Sequence, residues 1–245
     1  MRMAGPVRQI VAFGGGGFSM EAGNPLLDDY VLGLAAARAE RPRVCFVPTA
    51  SGDADHYVVR FYRAFSPERC VPSHVSLFRR DRGGGIDCDV AAHLLEQDLI
   101  YVGGGSVISL LGVWRAHGLD EALRECWERG IVLCGLSAGS LCWFDSAITA
   151  FHGTPQTVTG LGLLPHSNCV HLNDEPRRTA FRDAVASGAV GPGYGAEDGA
   201  ALRFEGTELA EVIASRPKAR AFRVDAEGEH RLRPRFLGAP IRLAA

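Results

Sequence analysis

The feature that most constrains this chain is the alternation of short β-branched apolar runs with longer helical patterns through its first 136 residues. "RQIVAF" (8–13), "RVCFVPTA" (43–50), "SHVSLF" (73–78), "DLIYVGGG" (98–105) and "IVLCGL" (131–136) read as buried strands. Between them lie amphipathic patterns at 25–39, where Pro25 suits a first helical turn, near 53–65, near 89–97, and in "VISLLGVWRAHG" and "DEALRECWERG". Strands separated by helices of ten or so residues cannot pair as hairpins. They imply a mostly parallel sheet with helices on both faces, an α/β fold. After about residue 145 the chain becomes rich in Gly, Thr and Pro and reads as irregular up to a helix at 176–188. The runs "GAALRF", "ELAEVIAS", "ARAFRV" and "IRLA" then suggest a small antiparallel C-terminal extension. No linker composition divides the chain, so one domain over 1–245 is expected.

Composition excludes several classes of function. With 26 basic and 28 acidic side chains the formal charge is −2, which offers no field for nucleic acid or an anionic membrane. No run approaches the roughly 18 apolar residues of a membrane span, and the first apolar stretch is too short for a signal peptide, so a cytoplasmic protein is expected. The seven cysteines are scattered without C-x-x-C or Cys/His ligand spacing. They are read as reduced, mostly structural thiols, and neither a metal nor any other cofactor is expected.

The stretch "IVLCGLSAGSLCWF" (131–144) carries the chemistry. Gly135, Ser137 and Gly139 form G-x-S-x-G where a strand runs into a helix, the context in which a sharp turn lifts a serine hydroxyl above the sheet edge. The following amide, Ala138, opens a helix and could stabilise an oxyanion. Gly103, Gly104 and Gly105 end the "DLIYVGGG" strand and could supply a second donor; their spacing is not that of a P-loop. "AFGGGGFS" (12–19) has the look of a dinucleotide turn, but strand two ends without an acidic residue, which argues against a Rossmann cofactor. A serine needs a base. Of eight histidines, His152, His166 and His171 lie in the segment after the serine, and the residues alone leave all three open.

Four stretches in order, "FGGGGF", "YVGGGSVISLL", "GLSAGSLCWF" and "GLGLLPHSNCVHLNDEPRRTAF", resemble peptidase family S51, the group of peptidase E (aspartyl dipeptidase) and cyanophycinase, with "GYGAEDGAALRFEGTEL" extending the likeness. The resemblance implies a class I glutamine amidotransferase-like (flavodoxin-like) fold and a cytoplasmic serine hydrolase of small peptides, possible substrates including Asp-X dipeptides. It implies Ser137 as nucleophile, His171 as base, and oxyanion amides from Ala138 and from Gly104 or Gly105. It favours Asp198 as the acid, with Glu197 and Asp145 as alternatives. Arg177 or Arg178 would read a substrate carboxylate, and a homodimer would fit. Ser106 and Val107 replace the Asn-Thr frequent in the family, and "SNCVH" lacks the acidic stretch before the histidine of cyanophycinase. The rivals are an acyl hydrolase of other specificity, a cysteine-dependent amidotransferase, which would need Cys at position 137, and a non-catalytic binding domain with an unassembled triad.

Overall fold

A computed structural model describes residues 6–78 and 89–238. Cys88 and the "IRLA" run lie outside the described residues. The first half builds β1 (Gln9–Phe13), α1 (Gly17–Met20), α2 (Leu26–Ala36), β2 (Arg43–Val47), α3 (Asp55–Ala64), β3 (Val71–His74), α4 (Val90–Leu95), β4 (Leu99–Val102), α5 (Val107–His117), α6 (Leu119–Glu128) and β5 (Val132–Leu136). The second half adds α7 (Ala138–Leu141), β6 (Phe144–Thr149), β7 (Gln156–Thr159), β8 (Leu164–Val170), α8 (Glu175–Ala186), β9 (Gly193–Ala196), β10 (Ala200–Glu205), β11 (Glu208–Ala214), β12 (Ala221–Asp225), β13 (Gly228–Leu232) and β14 (Arg235–Phe236).

Eight strands form the main sheet in the order β14-β11-β10-β1-β5-β4-β2-β3. The block from β1 to β3 is parallel, as the alternation implied. Its strands are apolar on both sides because both faces are covered. Val11, Phe13, Phe46 and Tyr101 pack against Phe18, Leu27 and Phe61 of α1 to α3. Ile10, Ala12, Val102 and Leu133 pack the other way, against Leu110 of α5, Leu123 of α6 and Phe144 of β6. The expected antiparallel extension is present as β10 and β11 on the free edge of β1.

Two features differ from the sequence reading. The strand expected to reach residue 78 stops at His74, because the Leu77 and Phe78 amides turn to donate to the buried Asp53 carboxylate at 2.6 and 2.9 Å. The segment read as irregular carries three strands, and with β9, β12 and β13 they make a second sheet of six, ordered β13-β12-β9-β8-β6-β7. Helix α8 packs Phe181 and Val185 onto Ile148 and Phe222 of that sheet. The "ARAFRV" run therefore joins the second sheet as β12 instead of widening the first. Among the described residues no helix is long and apolar enough to cross a membrane.

Candidate active site

Parallel strands of an open sheet deliver their loops to one edge, at their carboxyl ends. Ser137 stands there, immediately after β5, with φ 53° and ψ −117°. Only three non-glycine residues among those described have positive φ, namely Asp53, Ser137 and His171, and two of them meet in this site. Such backbone costs on the order of 1–3 kcal/mol per residue and persists only where the surroundings enforce it. Here the carbonyl of Ser137 accepts the Ser140 and Leu141 amides at 2.9 and 3.0 Å. The flanking glycines are required by contact: a Cβ on Gly135 would strike the Gly139 backbone, and one on Gly139 the Val102 carbonyl.

His171 follows the last residue of β8. Its amide donates to the Gly14 carbonyl at 2.9 Å, which ties the end of β8 to the glycine loop after β1. The ring lies between two partners: Nε2 is 3.0 Å from Ser137 Oγ, and Nδ1 is 2.6 Å from Asp198 Oδ1. Asp198 sits in the turn from β9 to β10, where its amide donates to Asn173 Oδ1 at 3.0 Å and its Oδ2 accepts from Asn173 Nδ2 at 3.4 Å. Burial alone would raise the Asp198 pKa, but the hydrogen bond and charge of His171, with Asn173 and Arg216, outweigh it and hold the carboxyl below its ordinary value. An ionised Asp198 fixes the proton on Nδ1, which leaves the Nε2 lone pair facing the Ser137 hydroxyl.

The other candidates are accounted for by geometry. His152 Nε2 is 3.4 Å from Ser106 Oγ, and His166 Nε2 is 3.2 Å from the Thr207 carbonyl, so neither pairs with Ser137. Glu197 is buried against Arg220 at 3.0 Å, and Asp145 is exposed on β6, so Asp198 is the one of the three acids that reaches the imidazole. The Gly104 amide donates to the Tyr57 hydroxyl at 3.0 Å, which takes it out of the expected oxyanion set. Gly105 has φ +143°, and a Cβ there would strike the Ala50 carbonyl. Its amide and that of Ala138 have no acceptor among the described residues.

The two expected substrate arginines separate. Arg178 forks onto Glu229, Nε and Nη2 both donating to Oε2 at 3.0 and 2.6 Å, and lies 4.6 Å over the Phe222 ring, so its planar face and both donors are committed to the fold. Among the described residues the Arg177 guanidinium meets only the half-exposed Asp174, at 3.2 Å. The six described cysteines are buried, and burial pushes the Cys134 and Cys142 thiols on either side of Ser137 well above their ordinary value.

Asn173 and the floor of the site were not singled out from the sequence. Gly15 is the nearest case: a Cβ on it would overlap Asp198 Oδ1 and lie 3.0 Å from His171 Nδ1. Its glycine run was visible, but its use against a histidine 156 positions further on was not.

Fold and site define a class, the α/β hydrolytic proteins with a serine at a strand-to-helix turn and an acid-supported histidine beside it. Residues 10–212 match the family model of Peptidase family S51. The chain is 44% identical over 219 residues to the uncharacterized peptidase YgaJ of Bacillus subtilis (strain 168), covering 89% of this chain and 92% of that one. It is 30% identical over 207 residues to Peptidase E of Streptomyces coelicolor, covering 80% and 79%. In fold it is similar to the crystal structure of a peptidase from an acI-B1 actinobacterium, with TM-score 0.70, 17% identity and 93% and 95% coverage. A putative peptidase E protein from Listeria monocytogenes is similar at TM-score 0.56, 17% identity and 85% and 98% coverage. The chain belongs to peptidase family S51, and it is a serine-type peptidase.

Proposed function

We propose that this peptidase hydrolyses short peptides through an acyl-enzyme on Ser137, with His171 as general base and Asp198 as its orienting acid. The observation that carries the reading is the unbroken contact from Ser137 Oγ through the imidazole to Asp198, at 3.0 and 2.6 Å. His171 Nε2 takes the Ser137 proton as Oγ bonds to the substrate carbonyl carbon, and the carbonyl oxygen gathers charge against the Gly105 and Ala138 amides. Collapse breaks the C–N bond, with the proton on Nε2 passing to the leaving amine. Water, deprotonated by the same nitrogen, then releases the acid and restores Ser137. The chemistry of the chain's own side chains completes both half-reactions.

An acidic residue on the acyl side is the substrate feature we favour, and Arg177 is the residue we assign to it. Its present partner is a half-exposed carboxylate from which a substrate carboxylate could take it, whereas Arg178 is bound into the fold. Steady-state hydrolysis of Asp-X, Asn-X and Ala-X dipeptides tests both parts. Asp-X should lead, Arg177→Ala should lower kcat/KM for Asp-X by about 10- to 100-fold while sparing Ala-X, and Ser137→Ala should abolish all three. Hydrolysis that survives Ser137→Ala contradicts the mechanism; an Asp-X preference that survives Arg177→Ala contradicts the assignment.

A further inference from the structure

The turn that carries Asp198 is gripped by residues the mechanism does not use. Gly199, the next residue, has φ +81°, and a Cβ on it would lie 2.9 Å from both Cγ and Cδ of Arg216, so the arginine stem lies directly against this turn. The Gly199 amide donates to the Gly15 carbonyl at 2.9 Å, and the Gly199 carbonyl accepts the Ser215 amide at 2.8 Å and the Ser215 hydroxyl at 3.3 Å. From there Arg216 reaches to Glu21 at the end of α1, its Nη2 paired with Oε1. The Glu21 side chain is 7% exposed, and a Cβ on Gly16 would lie 3.6 Å from its carboxylate. Its Oε2 accepts Asn24 Nδ2 at 2.8 Å, and the same Nδ2 donates to the Ser215 carbonyl at 3.1 Å. The contacts close a ring that runs from the glycine loop to Glu21, Arg216 and the Asp198 turn, and back to the loop through Gly15.

This ring brings one cation to the Asp198 turn and sets one nearly buried anion behind it. The groups around Asp198 are His171 and Asn173 from the end of β8, Glu197 from its own turn, already held by Arg220 at 3.0 Å, and Arg216 from the end of β11. The glycine loop brings only uncharged residues from Gly14 to Met20. Burial would raise the Asp198 carboxyl, and His171, Asn173 and Arg216 together hold it below its ordinary value. Glu21 works the other way, because its charge offsets that of the arginine it pairs with.

We propose that Arg216 and Glu21 are positioning residues for the reaction, which clamp the Asp198 turn onto the glycine loop and set the charge that the Asp198–His171 pair experiences; the proposal rests on the Ser137, His171 and Asp198 reading above. Neither side chain needs to touch substrate. Both act through Asp198, and they act with opposite sign.

The test is the acidic limb of the kcat/KM–pH profile, which reports protonation of the histidine–carboxylate pair in free enzyme and whose position does not depend on how much enzyme is folded. Protonation adds a positive charge to the pair. Arg216→Gln removes a cation and leaves Glu21 unpaired, so its limb should move to higher pH by about 0.5 to 1 unit. Glu21→Gln leaves Arg216 unopposed, so its limb should move to lower pH. Arg216→Lys keeps the charge and should stay near wild type, and so should the double variant Glu21→Gln/Arg216→Gln, which strands no charge. Limbs that stay in place, or move the same way in Arg216→Gln and Glu21→Gln, overturn the proposal and leave the pair as a scaffold. An Arg216→Lys limb displaced as far as that of Arg216→Gln does the same. NMR titration of the His171 imidazole on the Ser137→Ala background separates this failure from failure of the serine reading, since it needs no turnover. Opposite displacements there support the charge setting whatever residue attacks. Equal displacements, or none, remove it.

Discussion

Gly15→Ala adds one methyl group at the floor of the triad. That methyl would overlap Asp198 Oδ1 and lie 3.0 Å from both Asp198 Cγ and His171 Nδ1, so the three atoms nearest to it all belong to the side chains of the proposed triad. Ordinary contact requires about 3.5 Å between non-bonded heavy atoms, so the carboxylate must move by more than 1 Å. A hydrogen bond of 2.6 Å does not survive that displacement. His171 then loses the group that fixes its tautomer, for which losses in kcat of about 10⁴ are the reference magnitude, and a misplacement of about 1 Å alone costs about 10². The variant should therefore fold with a near-native melting temperature and lose about 10²- to 10⁴-fold in kcat. The neighbouring Gly14→Ala is the contrast: its methyl would meet the Ala196 and Glu197 backbone carbonyls, so it should lower stability as well. Dipeptide kinetics with circular dichroism melts read both quantities. A Gly15→Ala enzyme within about threefold of wild-type kcat would refute the claim that this glycine exists to admit the Asp198–His171 pair.

Three further outcomes are expected. Asp28 is 1% exposed, and burial lifts its pKa from 3.8 to about 7 against the opposing Phe18 backbone and Tyr101 hydroxyl. An acid raised on folding loses stability as pH climbs towards its folded value, a loss of at most about 4 kcal/mol that is complete above pH 7. Urea melts should thus find Asp28→Asn gaining on wild type between pH 5 and pH 8, and a pH-independent difference would contradict this. Iodoacetamide should leave hydrolysis intact under native conditions, since every described cysteine is buried; inactivation with a single carbamidomethyl adduct would revive cysteine chemistry. Arg178→Ala should lower the melting temperature by stranding Glu229, a loss of about 3–5 kcal/mol if that pair behaves as fully buried and less for its partial exposure, while preserving the Asp-X over Ala-X preference.

The parallel block was legible because its strands, covered on both faces, are continuous apolar runs between periodic helices. The second sheet was not, for reasons visible in its strands. β9 reads "GYGA", and its glycines are demanded by packing, a Cβ at Gly193 meeting Ser167 and one at Gly195 meeting Leu172. A strand built to admit neighbours this closely looks like a turn in one dimension. β7 is largely exposed and has no apolar face to announce it. In the site, Ser137 was legible from local chemistry, since strand, turn and helix are adjacent in the chain. His171 and Asp198 depended on family resemblance, because their approach is set by Gly14, Gly15 and Asn173, contacts made only once β1, β8 and β10 come together. The separation of Gly104 from Gly105 turns on Tyr57, 47 residues earlier, and that of Arg177 from Arg178 on Glu229, 51 residues later than Arg178.

The most direct measurement is intact-mass spectrometry after incubation with a fluorophosphonate, on wild type, Ser137→Ala, His171→Ala and Asp198→Asn. An activated Ser137 should give wild type a single adduct, mapped to the peptide carrying that serine, with none on Ser137→Ala and labelling slowed by orders of magnitude in the other two. An adduct that persists on Ser137→Ala, or a wild type that cleaves dipeptides yet takes no adduct, would contradict the assignment of Ser137 as nucleophile.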